Sequence, residues 1–309
     1  MKYIELSTLR FFAIILIVNS HLENFYSYKY LATGGAIGNA IFFFISGVGL
    51  TLSFKQNKLN FWLWLKKRYL RIYPKMIFIV LLLIFLDYSQ VASLYEFIIK
   101  IIFPKEFWFL PVLSYFYILL YYVIKKYETI NFKILIFGII IIYLICYFNF
   151  LDRTKYSIET YIYFKSIFYF LIIIIGIFFG NNYNLIFFNF KKTFIILIIN
   201  ILSLYLLKFL SLKYNYYYFQ FLEHVFIFNI VISLFQFMKN DKVYNILNLK
   251  LVKSGILFIS SLSLEIYLIH IFFINIPIGK FPINILIFIF IVLILSLFFR
   301  KIFKYLRLS

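Results

Sequence analysis

Two polar side chains interrupt the stretch LRFFAIILIVNSHLENFY, residues 9–26: the guanidinium of Arg10 and the imidazole of His21, set in sequence oily enough to lie in a bilayer. Ionisable groups at membrane depth are costly and ordinarily face a protein interior or a wet cavity, where they mark function. Their eleven-residue separation, at ~100° per residue, is three turns plus ~20°, so one continuous helix would put both on one side with a rise of roughly 16 Å. Ile14 and Ile17 lie between them on that side. The spacing therefore predicts a column lining a cavity, Arg10 near one membrane boundary and His21 deeper. The structural alternative has Arg10 snorkelling to the headgroups and His21 capping the far end of the span.

Other residues can do chemistry too. The segment FWLWLKKRYLRIYP, residues 61–74, interleaves Trp62, Trp64, Tyr69 and Tyr73 with Lys66, Lys67, Arg68 and Arg71, as suits an amphipathic helix at a membrane interface. Arg68 and Arg71 stand three apart, share a face and can grip one anion together. The alternative is a lipid-headgroup anchor beside a span that begins at Pro74. Ser260, Ser263, Tyr267 and His270 follow at helical offsets as one stripe, fit to bind hydroxyl groups or to glue packed helices. Glu265 lies off that stripe and needs a Lys or Arg partner from a neighbouring helix. His21, His224 and His270, expected at about one depth with Glu223 beside His224, raise the idea of a metal site, but no two of the histidines share a helix at ligand spacing, so none is expected. The single cysteine, Cys146, sits in an apolar run, forms no internal disulfide and is not expected to be a nucleophile.

The elements that must hold these groups follow from composition. Hydrophobic residues are 65% of 309, aromatics 24% and charged residues only 14%, far from an ordinary globular balance. An all-α, polytopic membrane protein is expected, with about ten spans: Leu6–Phe25, Ala36–Phe54, Met76–Tyr88, Phe107–Val123, Phe132–Phe150, Tyr161–Gly180, Phe194–Leu210, Phe219–Phe237, Gly255–Ile274 and Ile283–Phe303. The continuous apolar runs lack the alternation of barrel strands. No small-residue cleavage site follows the first run, so it reads as a retained span. Residues 1–309 are expected to form one membrane-embedded domain with no separate soluble part.

With both termini in the cytoplasm, 22 of the 31 lysines and arginines fall on the inner side. That bias is the signature of topology. The formal charge of +20 is thus scattered over short loops, and no nucleic-acid partner is expected. No internal repeat supports an inverted-repeat transporter.

The array LSTLRFFAIILIVNSH, then GNAIFFFISG from Gly38 to Gly47, then RYLRIYP from Arg68 to Pro74, resembles the membrane acyltransferase type-three family, which includes bacterial O-acetyltransferases of surface polysaccharides. EFWFLPVLSYFYILL from Glu106 and SSLSLEIYLIH from Ser260 to His270 look like its later landmarks, so the resemblance covers nearly the whole chain. Ser7, Thr8 and Phe11 stand where the first motif commonly has Asp, Gly and Gly, and Ala40 where the second commonly has Asp.

The resemblance implies an O-acyltransferase in a bacterial plasma membrane that moves an acyl group, expected to be acetyl, from cytoplasmic acyl-CoA to a hydroxyl of a cell-surface glycan or lipid-linked sugar. Acyl-CoA would be a co-substrate, with no tightly bound cofactor and membrane lipid as the surrounding partner. Arg10, Arg68 and Arg71 would hold the anionic head of the donor, and His21 would act as general base or covalent acyl carrier. Ser263, Tyr267 and His270 would contact the acceptor. A glycan or lipid exporter and a catalytically silent scaffold are the competing classes.

Overall fold

The computed structural model describes residues 4–86, 90–183, 189–276 and 278–306. Tyr88, the expected end of the third span, and Lys2 and Arg307, counted among the inner-side cations, lie outside the described residues. Among the described residues there is no strand; the chain is a succession of helices. They are α1 (Ile4–Asn19), α2 (Gly35–Gln56), α3 (Phe61–Phe85), α4 (Leu94–Ile102), α5 (Phe109–Lys125), α6 (Phe132–Phe150), α7 (Ile162–Asn181), α8 (Phe190–Tyr214), α9 (Phe221–Met238), α10 (Asp241–Leu247), α11 (Lys250–Ser261), α12 (Ser263–Ile269) and α13 (Ile283–Tyr305).

Polar residues in the connections start many of these helices. The side chains of Asn60, Asn131, Asn189 and Asn240 accept first-turn backbone N–H groups of α3, α6, α8 and α10. Ser93 does the same for α4, while Glu96 reaches back to the N–H of Ala92 at 2.9 Å, a near capping box.

Among the described residues, six helices are long and apolar enough to cross a membrane: α2 with its preceding turn, α6, α7, α8, α9 and α13. The pairs α4–α5 and α10–α11 pass that test only as bent units, at 100° and 81°, which raises the total to eight. The ten expected spans map onto these and onto three less regular elements. Helix α1 has 16 residues, a rise of ~24 Å, short of a ~30 Å hydrocarbon core. The expected interfacial segment 61–74 and the third span fuse into α3, a single 25-residue helix that runs through Pro74. The proline removes one N–H and leaves the carbonyl of Leu70 unserved by the helix, which membrane helices tolerate when neighbours supply a substitute. The expected ninth span breaks at Leu262 between α11 and α12 and tightens into a 3₁₀ turn at His270. Helices α6, α8 and α13 present broad apolar surfaces, Ile141, Ile145, Leu202, Leu206, Phe290 and Ile294 among them, which only a hydrocarbon surrounding makes inexpensive.

The chain forms two compact units. The first comprises residues up to Ala13, Ala36–Lys58 and Tyr122–Leu257. Its centre is the crossing of α2 and α7, where glycines let the backbones touch. A Cβ at Gly47 would lie 2.3 Å from the carbonyl oxygen of Ile173, and one at Gly176 would lie 2.2 Å from that of Phe44. Small residues at a crossing permit close van der Waals packing where lipid supplies no hydrophobic drive. Gly47 ends the GNAIFFFISG segment, and the same segment's Phe43 and Phe44 pack on Tyr169, Phe179 and Phe235. Helix α8 packs lengthwise on α9.

The second unit comprises Ile14–Gly35, Leu59–Tyr121 and the residues from Phe258 onward. Trp64 of α3 is buried edge-on against Tyr117 and Tyr121 of α5, and Tyr69 donates to the carbonyl of Ser114 at 3.1 Å. Phe78 of α3 meets Phe299 and Phe303 of α13. Asn284 of α13 donates to the carbonyl of Phe25 at 2.8 Å, which ties down the loop after α1.

Candidate active site

Within the second unit, the end of α1 determines where His21 sits. The helix stops at Asn19, whose amide donates to the carbonyls of Leu31 and Thr33 at 2.9 and 3.0 Å while its oxygen accepts from Tyr26 at 2.5 Å. One side chain thus folds the following loop back on the helix end. The return is completed by Gly34, at φ +99°, a left-handed conformation that glycine adopts without a Cβ penalty. A Cβ on Gly35 would lie 2.5 Å from Ser20 Oγ, so the loop closes tightly. His21 consequently lies in the turn after α1, with its backbone N–H on the carbonyl of Val18 at 3.0 Å, and its side chain is exposed.

The expected column is therefore a helix face for Arg10, Ile14 and Ile17 and a turn for His21, so helical extrapolation holds only as far as Asn19. Ile14 and Ile17 are only 1% and 2% exposed, whereas Phe12 and Ile15 are exposed, so the face that carries the column is turned into protein. Arg10, half-buried, belongs to the first unit; His21, Arg68, Arg71 and the expected stripe from Ser260 to His270 belong to the second.

The structure brings His21 to His270, ring centroids 5.2 Å apart and planes tilted by 49°. Tyr267 stands 5.9 Å from His270 and is flanked by Phe107 and Phe109. Ser260, Ser263, Tyr267 and His270 are all buried, so the stripe keeps a common inward side despite the break at Leu262.

On α3, Arg68 is half-buried with its guanidinium over the Trp64 ring at 5.4 Å, and Arg71, one turn on, is exposed. Tyr69 and Tyr73 stack at 5.1 Å beside them. One further turn places Lys75, buried and paired with Glu265 of α12 at 2.8 Å, its ammonium 5.5 Å from the Phe303 ring. Glu265 thus has the cationic partner its depth requires. Lys75 escaped the sequence reading although its four-residue step from Arg71 puts it on the same helical face.

A second polar network lies wholly in the first unit and carried little sequence signal. His224 of α9 is held between the Tyr143 hydroxyl at Nδ1 and Glu159 Oε1 at Nε2, both at 2.9 Å. Glu159 also accepts from Tyr169 at 3.2 Å, and Glu223 accepts from Tyr156 at 2.9 Å and pairs with Lys208 at 3.7 Å. In the loop before α7, burial pushes the Glu159 carboxyl up, but the hydrogen bond and charge of His224, with Lys165 and Lys208, hold it below the ordinary carboxylate value. Burial, then the charges of Glu223 and Glu159, raises Tyr156 and keeps it a donor. His224 is saturated by these partners and acts as a tie among α6, α9 and that loop.

An exposed imidazole backed by a second, with arginines on another helix of the same unit, is chemistry suited to moving a group onto a hydroxyl. Neither the curated proteins nor the solved structures contain a match to this chain. The family model described as an acyltransferase domain matches residues 3–300. With nearly its whole length so covered, the chain belongs to the acyltransferase type-three family.

Proposed function

We propose that the protein is a multi-pass O-acyltransferase of the bacterial plasma membrane that takes an acetyl group from cytoplasmic acetyl-CoA and places it on a hydroxyl of a cell-surface glycan or lipid-linked sugar. The observation that carries this reading is the exposed His21 imidazole, fixed in a tight turn against His270. In this reading the chain spans the membrane ten times as one functional domain, with both termini in the cytoplasm, as the lysine and arginine bias supports.

Arg68 and Arg71 bind the phosphates of the donor; permanently charged guanidinium groups that form bidentate contacts suit them. Arg68, braced on Trp64, keeps its orientation as the phosphate arrives. Ser263 and Tyr267 form the acceptor side, and His270 backs the His21 ring. His21 removes the proton from the acceptor hydroxyl as its oxygen bonds to the thioester carbonyl carbon. The carbon–sulfur bond then breaks, and the departing thiolate takes that proton from His21, which returns to its neutral form. In the covalent variant of the same chemistry His21 first carries the acetyl group itself.

The test is mass spectrometry of surface glycans from cells with and without this protein. The reading expects acetyl esters that vanish with the gene and return with the wild type but not with His21→Ala. Export of an unchanged glycan that depends on the gene would contradict it.

A further inference from the structure

His270 is held so that only one of its ring nitrogens can do further work. Its Nδ1 lies 2.8 Å from the carbonyl oxygen of Tyr267 and 3.2 Å from that of Ile266. A carbonyl oxygen only accepts, so Nδ1 carries the hydrogen and the neutral ring keeps its lone pair on Nε2. That Nε2 is buried, and among the described residues nothing hydrogen-bonds to it. A buried acceptor left unmade costs about 1–3 kcal/mol, so such an atom calls for an explanation. His21 is the neighbouring ring, 5.2 Å away centre to centre. Burial sets the order of approach: His21 is exposed, whereas His270 is 2% exposed. An incoming hydroxyl meets His21 first, with His270 behind it.

We infer that His270 is the positioning residue of His21: a turn of the exposed His21 ring brings one of its N–H groups onto the unpartnered Nε2, which fixes which His21 nitrogen faces the substrate and holds the imidazolium that forms during transfer. This rests on the acyl-transfer reading above and assigns a part of its machinery. In the step, the hydroxyl proton passes to the substrate-facing nitrogen of His21 while the opposite N–H leans on His270 Nε2. No proton moves to His270. When the thiolate takes the proton from the substrate-facing nitrogen, both rings are as they began. The role matches the orienting carboxylate of hydrolase triads, filled by a neutral imidazole whose tautomer is set by its own backbone. A neutral partner at this depth avoids the desolvation cost of a carboxylate.

The test uses the full chain in detergent, labelled with ¹⁵N at its three histidines, and acetyl-CoA with water or glycerol as acceptor, read by release of the CoA thiol. The nitrogen shifts of the wild type should show His270 as the Nδ1–H tautomer. His270→Phe should displace the His21 signals and lower kcat about tenfold or more, with KM for acetyl-CoA within about twofold. His270→Gln, whose carboxamide oxygen offers an acceptor at similar reach, should recover a large share of kcat. Unchanged kcat in His270→Phe, a raised KM at unchanged kcat, or an Nε2–H tautomer would overturn the assignment. If His270→Phe does not fold, the wild-type tautomer and the Gln variant decide. A wild type that releases no thiol overturns the acyl-transfer reading alone, because the tautomer and the response of the His21 signals still decide the pairing of the rings.

Discussion

At the scale of the residue, the account depends on a small set of side chains with separable duties. His21→Ala should remove about 10²- to 10⁴-fold of kcat, the range of a general base, while acetyl-CoA affinity measured by titration changes little. Arg68→Ala should do the reverse and raise KM, and Arg68→Lys should restore it only partly, because an ammonium offers neither the bidentate fork nor the planar face over Trp64. Asn19 makes three hydrogen bonds that build the turn holding His21. Asn19→Ala should therefore lower kcat by misplacing an intact imidazole. Residue type and spacing are what single out Arg10, His21, Arg68 and Arg71 as candidates in the sequence. Asn19 was not, since an asparagine after an apolar run reads equally well as an ordinary helix end. Lys75 was hidden among loop cations until α3 proved continuous.

At the scale of the element, each unit has one helix–helix contact of its own that should respond differently to substitution. Gly47→Ala forces a methyl group against the Ile173 carbonyl of α7, and backbone cannot swing aside as a side chain can. A loss of stability beyond the ~1–3 kcal/mol of ordinary overpacking is expected, visible as a lowered midpoint of thermal unfolding in detergent. The Lys75–Glu265 pair joins α3 to α12 in a buried setting. Lys75→Met alone should cost ~3–5 kcal/mol by stranding the carboxylate, and the double variant with Glu265→Leu should recover most of it. Equal losses in the single and double variants would show that the pair is not what joins these helices. Helix class and rough positions were readable from apolar run lengths. The breaks were not: short polar stretches such as Asn19-Ser20-His21 and Ser260-Ser261 occur inside continuous membrane helices as well as at their ends, and at Asn19 the deciding contacts are with Leu31 and Thr33, beyond the reach of periodicity.

At the scale of the whole molecule, six to eight helices among the described residues are long and apolar enough to cross, and the proposed ten crossings require α1 and α3 to traverse as well and the broken α11–α12 segment to be one of the spans. Short, kinked or charged helices can do so when packed inside a bundle, where neighbours satisfy their polar groups. The orientation is testable with the native thiol removed by Cys146→Ser. A cysteine at exposed Lys155 should react with an impermeant maleimide on intact cells, and one at exposed Lys191 only after lysis. The opposite pattern would invert the topology and put the arginines on the wrong side for a cytoplasmic donor. Lysine and arginine placement is the sequence feature from which this proposed orientation is read, because charge bias follows from membrane insertion. The division into two compact units was not, since it reflects packing between distant segments.

The most direct test of the central claim is transfer of label from [¹⁴C]acetyl-CoA to glycan in membranes containing the wild type or His21→Gln at equal abundance. The account predicts glycan-bound label for the wild type, alkali-labile as an ester should be, and none above background for the variant. Equal labelling by both would contradict it.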